Sequence, residues 1–270
     1  MNSPPDENMP ENLIRIWVRA IRLLLTLFSL LTVMACSKKD EQMPDVASAD
    51  VAYSRLEFKC VYERDSLPAL NPDADTFYRY GIYLEKRKGQ KDYDAIARYY
   101  RVAAAHDHYK AAANLQYLLS TGQASSPDAS KETIDLAEYY VAKNIPGAYY
   151  NMAHYLELGY GVKQDVAASR AYFRRAADLG SPDGQYYIGR LLSYVPKTTK
   201  IMLAMYQCAM EQGNRLAGRE YASYSKVLRL YRESLEGYQH ATRNGDANSA
   251  GNLASAFEGP PATNKLYYLA

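Results

Sequence analysis

The chain has 270 residues and four histidines, the side chains best suited to binding a metal or transferring protons near neutral pH. His106 and His108 are two residues apart, a spacing that points them to different sides of a helix. His154 and His240 are distant from each other, and neither has a second ligand at a recognised spacing. The histidines therefore predict no metal site, and we expect no cofactor.

Acidic side chains and glycine turns offer no better catalytic group. Glu132, Asp135 and Glu138 follow at spacings of three, typical of a solvated helix face with favourable charge near its start. Gly159-Tyr160-Gly161 resembles a phosphate-binding turn superficially, but it follows a helical pattern instead of a strand. The sequence has no metalloprotease helix motif, nucleophile elbow, Walker loop or dinucleotide fingerprint. We expect a protein that is not an enzyme.

The middle of the chain has small and apolar residues at helical spacing, in two adjoining segments. They are Ala148, Met152, Ala153 and Leu156, followed by Ala168, Tyr172, Ala176 and Ala177. Gly159 and Gly161 allow positive φ where the first segment must end, and Asp165 is placed to cap the second. This pattern predicts a helical hairpin, which buries one face only and needs neighbours.

The hairpin pattern repeats. Each copy aligns on an anchor residue that is followed by a small residue four places later and an apolar residue eight places later. The anchors are Leu70, Asp107, Asn144, Gly180, Gly213 and Gly245. Their spacings of 37, 37, 36, 33 and 32 are typical of two helices per unit. The predicted fold is therefore all-α, an α-solenoid of about six helical hairpins.

The N-terminal residues predict export. Arg15, Arg19 and Arg22 precede the apolar run Leu23–Ala35, whose 13 residues suit a signal-peptide core better than a membrane span. We therefore assign residues 1–35 to a signal peptide, residues 36–52 to a polar, flexible tether and residues 53–270 to the solenoid. Lys and Arg number 32 against 30 Asp and Glu, so no excess of basic charge points to nucleic acid.

Two of the three cysteines lie in the predicted solenoid. Cys60 lies in a segment, Leu56–Tyr62, that alternates apolar and polar residues, and we predict that this segment is extended and caps the first hairpin. Cys208 lies 148 positions further on. A disulfide would suit an oxidising compartment. Two buried free thiols are the preferred interpretation, because the cysteines are distant and each has apolar neighbours.

The central copy resembles the Sel-one-like repeat (SLR), a relative of the tetratricopeptide repeat. The alanines, glycines and aspartate from Ala148 to Gly180 carry this resemblance, which covers roughly residues 70 to 259. Val33-Met34-Ala35-Cys36 resembles the bacterial lipobox, which implies that Cys36 is lipidated. Ser37 after the cysteine implies sorting to the outer membrane. The alternatives are an uncleaved anchor and an ordinary signal peptide with a chance cysteine.

The resemblance also implies a binding surface. In tetratricopeptide-like hairpins, positions two and six places after the small residue turn toward the concave side. The chain there has Tyr80, Tyr117, Tyr150, His154, Tyr186, Arg190 and Arg219. Tyrosine is abundant, with 27 residues, and aromatic and arginine side chains dominate interface energetics. We predict a partner-binding surface here, with ordinary solenoid surface as the alternative; tyrosines such as Tyr172 and Tyr221 belong to the core.

Asn71-Pro72-Asp73-Ala74-Asp75 and the helix Lys110–Gln116 resemble SLR lipoproteins that act as immunity proteins. Those proteins are encoded beside toxic phospholipase effectors of the type VI secretion system. The resemblance implies a periplasmic protein, held to a membrane by its lipid, that binds a cognate phospholipase and occludes its active site. One alternative is a general envelope scaffold for protein complexes. A second is an SLR β-lactam hydrolase, for which two cysteines are too few.

Overall fold

The computed structural model describes residues 57–258, with the side chains of the last two left out. The predictions for the signal peptide, Cys36 and the tether fall on residues 1–56, outside the described part. Residues 57–258 contain eleven α-helices, one short 3-10 helix and no strand, and they belong to one compact unit. The prediction of an all-α solenoid is confirmed. None of these helices is both long enough and apolar enough to cross a bilayer.

The helices form five successive pairs and one further helix. The first helices of the pairs are α1 (Pro72–Lys86), α3 (Tyr109–Ser120), α5 (Pro146–Leu158), α7 (Pro182–Leu192) and α9 (Arg215–Val227). The second helices are α2 (Tyr93–Ala105), α4 (Ala129–Ala142), α6 (Val166–Asp178), α8 (Thr199–Glu211) and α10 (Tyr231–Arg243), and α11 (Ala247–Glu258) follows the fifth pair. Each helix packs against the helix before it and the helix after it. This arrangement makes the chain a stack of hairpins.

The anchors mark the corners between pairs. Five of the six have positive φ, from 57° at Asn144 to 102° at Gly180. The next residue donates its backbone N–H to a carbonyl five positions back, as Ser181 does to Ala176 at 2.9 Å, so each second helix ends in a Schellman motif. That next residue then begins the following first helix. At Ser181 the hydroxyl accepts a hydrogen bond from the Gly184 N–H at 3.2 Å.

Five of the eight predicted core positions of the central pair are buried, and Leu156, Ala168 and Tyr172 are half-buried. Ala148, Met152 and Ala153 in α5 are at most 6% exposed, and Ala176 and Ala177 in α6 are fully buried. Small side chains let the two backbones approach, and larger ones fill the remaining space. The predicted turn is confirmed as well. Gly159 ends α5 with φ of 71°, and the Asp165 carboxylate accepts the Ala168 N–H at 2.9 Å.

A glycine at the start of α7 sets the distance between α6 and α7. A methyl group on Gly184 would lie 2.8 Å from Ala176 Cβ and 2.8 Å from the Ala177 nitrogen. We expect Gly184→Ala to lower the free energy of unfolding by about 1–3 kcal/mol through overpacking, although alanine favours helix. Gly251→Ala in α11 is the matched control. Nothing lies within 4 Å of a methyl group there, so urea unfolding should show a gain of roughly 0.5–1 kcal/mol. Equal shifts for both variants would contradict this account.

The two helices of the fifth pair are separate although no glycine lies between them. Arg229 takes the left-handed conformation there, with φ of 61°. The Leu230 N–H donates to the Ser225 carbonyl at 2.8 Å and closes a Schellman motif without glycine. An arginine in this conformation gives no signal in the sequence.

Residues 57–67, which we call the strap, precede α1. Residues 57–62 have neither helix nor strand, and the backbone of Tyr62 is extended, with φ of −95° and ψ of 136°. The position of this segment differs from the prediction, which laid it on the first hairpin. The strap instead lies across the third and fourth pairs, where Arg174 donates to the Glu57 carbonyl at 3.1 Å and Gln185 donates to the Val61 carbonyl at 3.0 Å.

A disulfide fixes the strap to the fourth pair. Cys60 and Cys208 are bonded, with their Cα atoms 5.7 Å apart, so the preferred interpretation of two free thiols is wrong. The distance of the two cysteines along the chain was a poor guide, because the strap returns to a later pair. Gly180 makes room for it: a side chain there would lie 2.7 Å from the backbone nitrogen of Glu63. The Glu63 N–H in turn donates to Gln212 Oε1 at 2.8 Å.

Candidate partner-binding surface

The seven predicted site residues all lie on first helices, at the sixth or tenth position after an anchor. The fourth and eighth positions of the same helices, such as Ala148 and Met152, are buried in the stack. Because a helix turns about 100° per residue, the sixth and tenth positions cannot also face that core. We call the surface formed by these positions the inner face.

The centre of the inner face is an aromatic cluster on α5, α6 and α7. The Tyr150 ring meets the His154 ring edge-on at 4.7 Å, and both rings contact Phe173, which is fully buried. Tyr187 stacks on the other side of Phe173 at 3.6 Å. The rings hold one another, so Tyr150 and His154 are presented in fixed positions. A rigid aromatic surface loses little entropy when a partner binds.

A carboxylate completes this cluster. Glu157 accepts a hydrogen bond from the Tyr187 hydroxyl at 2.6 Å, and its other oxygen lies 3.4 Å from His154 Nδ1. Burial nevertheless lowers the pKa of His154, against the pull of Glu157, so the imidazole is neutral at pH 7. Burial also raises the pKa of Tyr150 to about 12, so its hydroxyl remains a hydrogen-bond donor.

The next two predicted residues form a second group on α7. The Arg190 guanidinium lies 5.9 Å from the centre of the Tyr186 ring, within cation–π range. Arg190 also lies close enough to lower the pKa of Tyr186, although burial of that ring raises it more. Tyr186 and Arg190 are near enough to Tyr150 to affect its titration, so the α5 and α7 groups form one surface.

Arg219 is the predicted residue that is already paired. Its guanidinium lies 3.1 Å from Asp246 Oδ1, and Asp246 also accepts from the Ser249 N–H at the start of α11. Arg219 therefore serves the packing of α9 against α11, and only part of its side chain remains exposed. We expect it to contribute less to binding than Arg190, which is exposed and has no carboxylate within 4 Å among residues 57–258.

Tyr80 and Tyr117 lie at inner-face positions but apart from the groups on α5 and α7. Tyr117 is 59% exposed, and Tyr80 packs edge-on against Tyr99 at 4.7 Å and near Tyr83 at 5.9 Å. No ring contact in the described part of the chain joins either tyrosine to Tyr150 or Tyr186. The structure therefore brings together five of the seven predicted residues and leaves Tyr80 and Tyr117 as separate exposed rings.

Two carboxylates on the inner face were not predicted. Asp183, in the first turn of α7, accepts from Asn214 Nδ2 at 2.8 Å, and Glu63 reaches the same region from the strap. Within residues 57–258, neither has a lysine, arginine or histidine nitrogen within 4 Å. Burial raises the pKa of both, and the charge of Asp183 raises that of Glu63 further. The Asp183 residue as a whole is nevertheless exposed to solvent.

The pKa of Asp183 predicts a pH dependence. Because the pKa of Asp183 is higher in the folded than in the unfolded protein, its carboxyl group stabilises the fold when it is protonated. This contribution to the free energy of unfolding is complete below the unfolded pKa, about 3.9, and is lost as the pH rises through the folded pKa. We expect Asp183→Asn to remove that loss, since the amide keeps the oxygen that Asn214 binds. Thermal unfolding should show the variant about 1–3 °C above the wild type at pH 7, with no difference at pH 3.5. A lower Tm at pH 7 would contradict this assignment.

The inner face thus has rings, one unpaired arginine and partly desolvated carboxylates. In residues 57–258 no three His, Cys, Asp or Glu side chains come together as metal ligands. The arrangement suits recognition of another protein, because rigid aromatic side chains and charges without partners gain most from a complementary surface. Asp183 could not be identified from the sequence, because an acid in the first turn of a helix is ordinary.

Comparison with known proteins gives relatives among solved structures. The chain is similar to the crystal structure of immunity protein Pa5087 from Pseudomonas aeruginosa, with a TM-score of 0.62 and 29% identity over 79% of this chain and 85% of that one. Immunity protein PA5088 from the same organism gives a TM-score of 0.61 and 27% identity over 78% and 84%. The predicted resemblance to SLR-like immunity proteins is therefore confirmed.

A third solved structure shares the fold. It is a Sel1 repeat protein from Oxalobacter formigenes, with a TM-score of 0.55 and 24% identity over 70% of this chain and 82% of that one. No protein-family profile and no curated protein sequence matches the chain. The described part of the chain is thus an SLR-like α-solenoid.

Proposed function

We propose that this chain is a periplasmic immunity protein that binds a phospholipase effector of the type VI secretion system and blocks its active site. The observation that carries the proposal is the similarity to two solved immunity proteins over about four-fifths of the chain. The inner face supports it, because Tyr150, Tyr186 and Arg190 are side chains that dominate protein interfaces. Blocking requires only that the bound solenoid cover the entrance to the enzyme.

Attachment to the membrane forms part of the proposal. In this proposal Cys36 is the lipidation site, and residues 36–52 tether the solenoid to a membrane. Ser37 after the cysteine favours sorting to the outer membrane. The disulfide between Cys60 and Cys208 supports export, since such bonds persist in the periplasm and are rare in the cytosol. A tether keeps the inhibitor where a phospholipase must act and raises its effective concentration there.

The test is genetic and biochemical. If a phospholipase gene adjoins this one, deleting this gene should make the cell sensitive to that phospholipase, and the purified proteins should bind. Cys36→Ala should remove labelling by radioactive palmitate and weaken protection without weakening binding in solution. A cell that stays resistant and a phospholipase that does not bind would overturn immunity. Purification from the periplasm would then identify the partners expected of a general envelope scaffold.

A further inference from the structure

A cavity of about 160 Å³ lies between α3, α5 and the strap, at the inner face. It exists because two side chains there are small. Ala113 occupies the sixth position after its anchor, where the next two pairs have Tyr150 and Tyr186. Gly147 lies at the third position, where the following pair has Asp183. The strap closes the remaining side with Glu63 and Leu67.

The lining of the cavity has an apolar part and a polar part. Leu67, Ile145 and Ala148 belong to a hydrophobic cluster that also includes Tyr140, whose hydroxyl is already bonded to the Ala104 carbonyl at 3.0 Å. These walls favour the apolar part of a ligand, and a space of this size holds a single amino-acid side chain. They offer no hydrogen-bond partner to a polar group at the end of that side chain.

Two polar groups provide that partner. Gln116 is 1% exposed, and its Oε1 accepts hydrogen bonds from Asn151 and from Tyr155, each at 3.3 Å. Both bonds use the oxygen, so the amide nitrogen of Gln116 remains available to a ligand. The Glu63 carboxylate lies beside Gly147, with its Oε1 3.6 Å from where a Cβ on that glycine would lie, and it has acceptor capacity for a ligand. The lining of the cavity thus includes both a donor and an acceptor.

These groups select the ligand. A guanidinium or ammonium would face the Gln116 donor and the Lys110 ammonium at the rim, and a carboxylate would face Glu63. A hydroxyl can accept from Gln116 and donate to Glu63, and tyrosine is the side chain that joins a hydroxyl to a large apolar body. We infer that the cavity receives one tyrosine side chain of the partner protein. This inference rests on the proposed function and identifies one anchoring contact of the same surface.

The test uses N-acetyl-L-tyrosinamide as the probe and the full chain in nonionic detergent. Methyl NMR signals of Ile145 and Ala148 should shift and saturate in the millimolar range, about 1–10 mM. N-acetyl-L-phenylalaninamide should bind at least threefold more weakly, and N-acetyl-L-argininamide should not saturate. Equal binding of all three compounds, or no shift at these methyl groups, would overturn the inference.

Two variants keep the test specific. Ala113→Leu fills the cavity and should abolish the shifts. The control is Thr76→Leu, which places a leucine at the corresponding position of α1, six places after its anchor, and should leave the shifts intact. Glu63→Gln should reduce the preference for tyrosinamide over phenylalaninamide while the fold is kept. Unchanged binding in Ala113→Leu would overturn the inference. The proposed function is tested separately. If tyrosinamide binding saturates but no phospholipase binds, the cavity is a tyrosine site and the proposed immunity function is wrong.

Discussion

Changing Tyr150, His154 and Tyr186 together to alanine is expected to weaken binding of the cognate phospholipase at least 100-fold, which corresponds to about 2.7 kcal/mol. Tyr150 and His154 meet edge-on and both contact Phe173, and the Tyr186 ring lies 6.2 Å from the Tyr206 ring. These contacts restrict the rings, so they bind without much loss of side-chain entropy. Surface plasmon resonance with immobilised phospholipase measures the change.

A matched control uses two exposed tyrosines away from the inner face. Tyr139, on the second helix α4, is 48% exposed, and Tyr194, after α7, is 82% exposed. Changing both to alanine should leave affinity within about threefold, roughly 0.6 kcal/mol. Circular dichroism must show that all variants are folded at the temperature of measurement. If the inner-face variant keeps its affinity within threefold, or if the control loses as much, the inner face is not the binding surface.

Loss of the disulfide should have the largest effect on stability. We expect Cys60→Ser with Cys208→Ser to lower the free energy of unfolding by about 3–5 kcal/mol, because the bond closes a loop of 148 residues and so restricts the unfolded chain. Cys208 is buried, and its replacement by serine adds to the loss. Urea unfolding measures the difference.

Reduction provides the control for that experiment. A reducing agent should destabilise the wild type by a similar amount and should not affect the double variant. The strap also contributes Glu63 and Leu67 to the inner-face cavity, so the double variant should lose saturable tyrosinamide binding. A change below 1 kcal/mol would mean that the strap is held by its hydrogen bonds to Gln185 and Gln212 without help from the disulfide.

The repeat could be predicted because its corners have a sequence signature. Gly180, Gly213 and Gly245 adopt positive φ at low cost, and Asp107 and Asn144 are the residue types that tolerate this conformation best after glycine. A small residue follows four places later because the neighbouring helix passes there. The corner at Arg229 has no such residue, and the sequence therefore left the boundary between α9 and α10 undecided.

The strap could not be predicted, because its position depends on contacts between distant parts of the chain. Alternation of apolar and polar residues indicates an extended segment but does not indicate which pair it covers. Its place on the fourth pair is set by Cys208, Gln185 and Gln212, none of which has a distinctive spacing. The same limit applies to the inner face. Its rings follow from the register of the repeat, whereas Glu63 comes to it from the strap.

Hydrogen–deuterium exchange of the complex tests the central claim most directly, because it locates the partner without mutation. The account predicts that bound phospholipase slows exchange on the side of the first helices, in α5 (Pro146–Leu158), α7 (Pro182–Leu192) and the strap. The second helices α6 (Val166–Asp178) and α8 (Thr199–Glu211) should exchange as in the free protein. Protection confined to α6 and α8, with α5 and α7 unchanged, would contradict it.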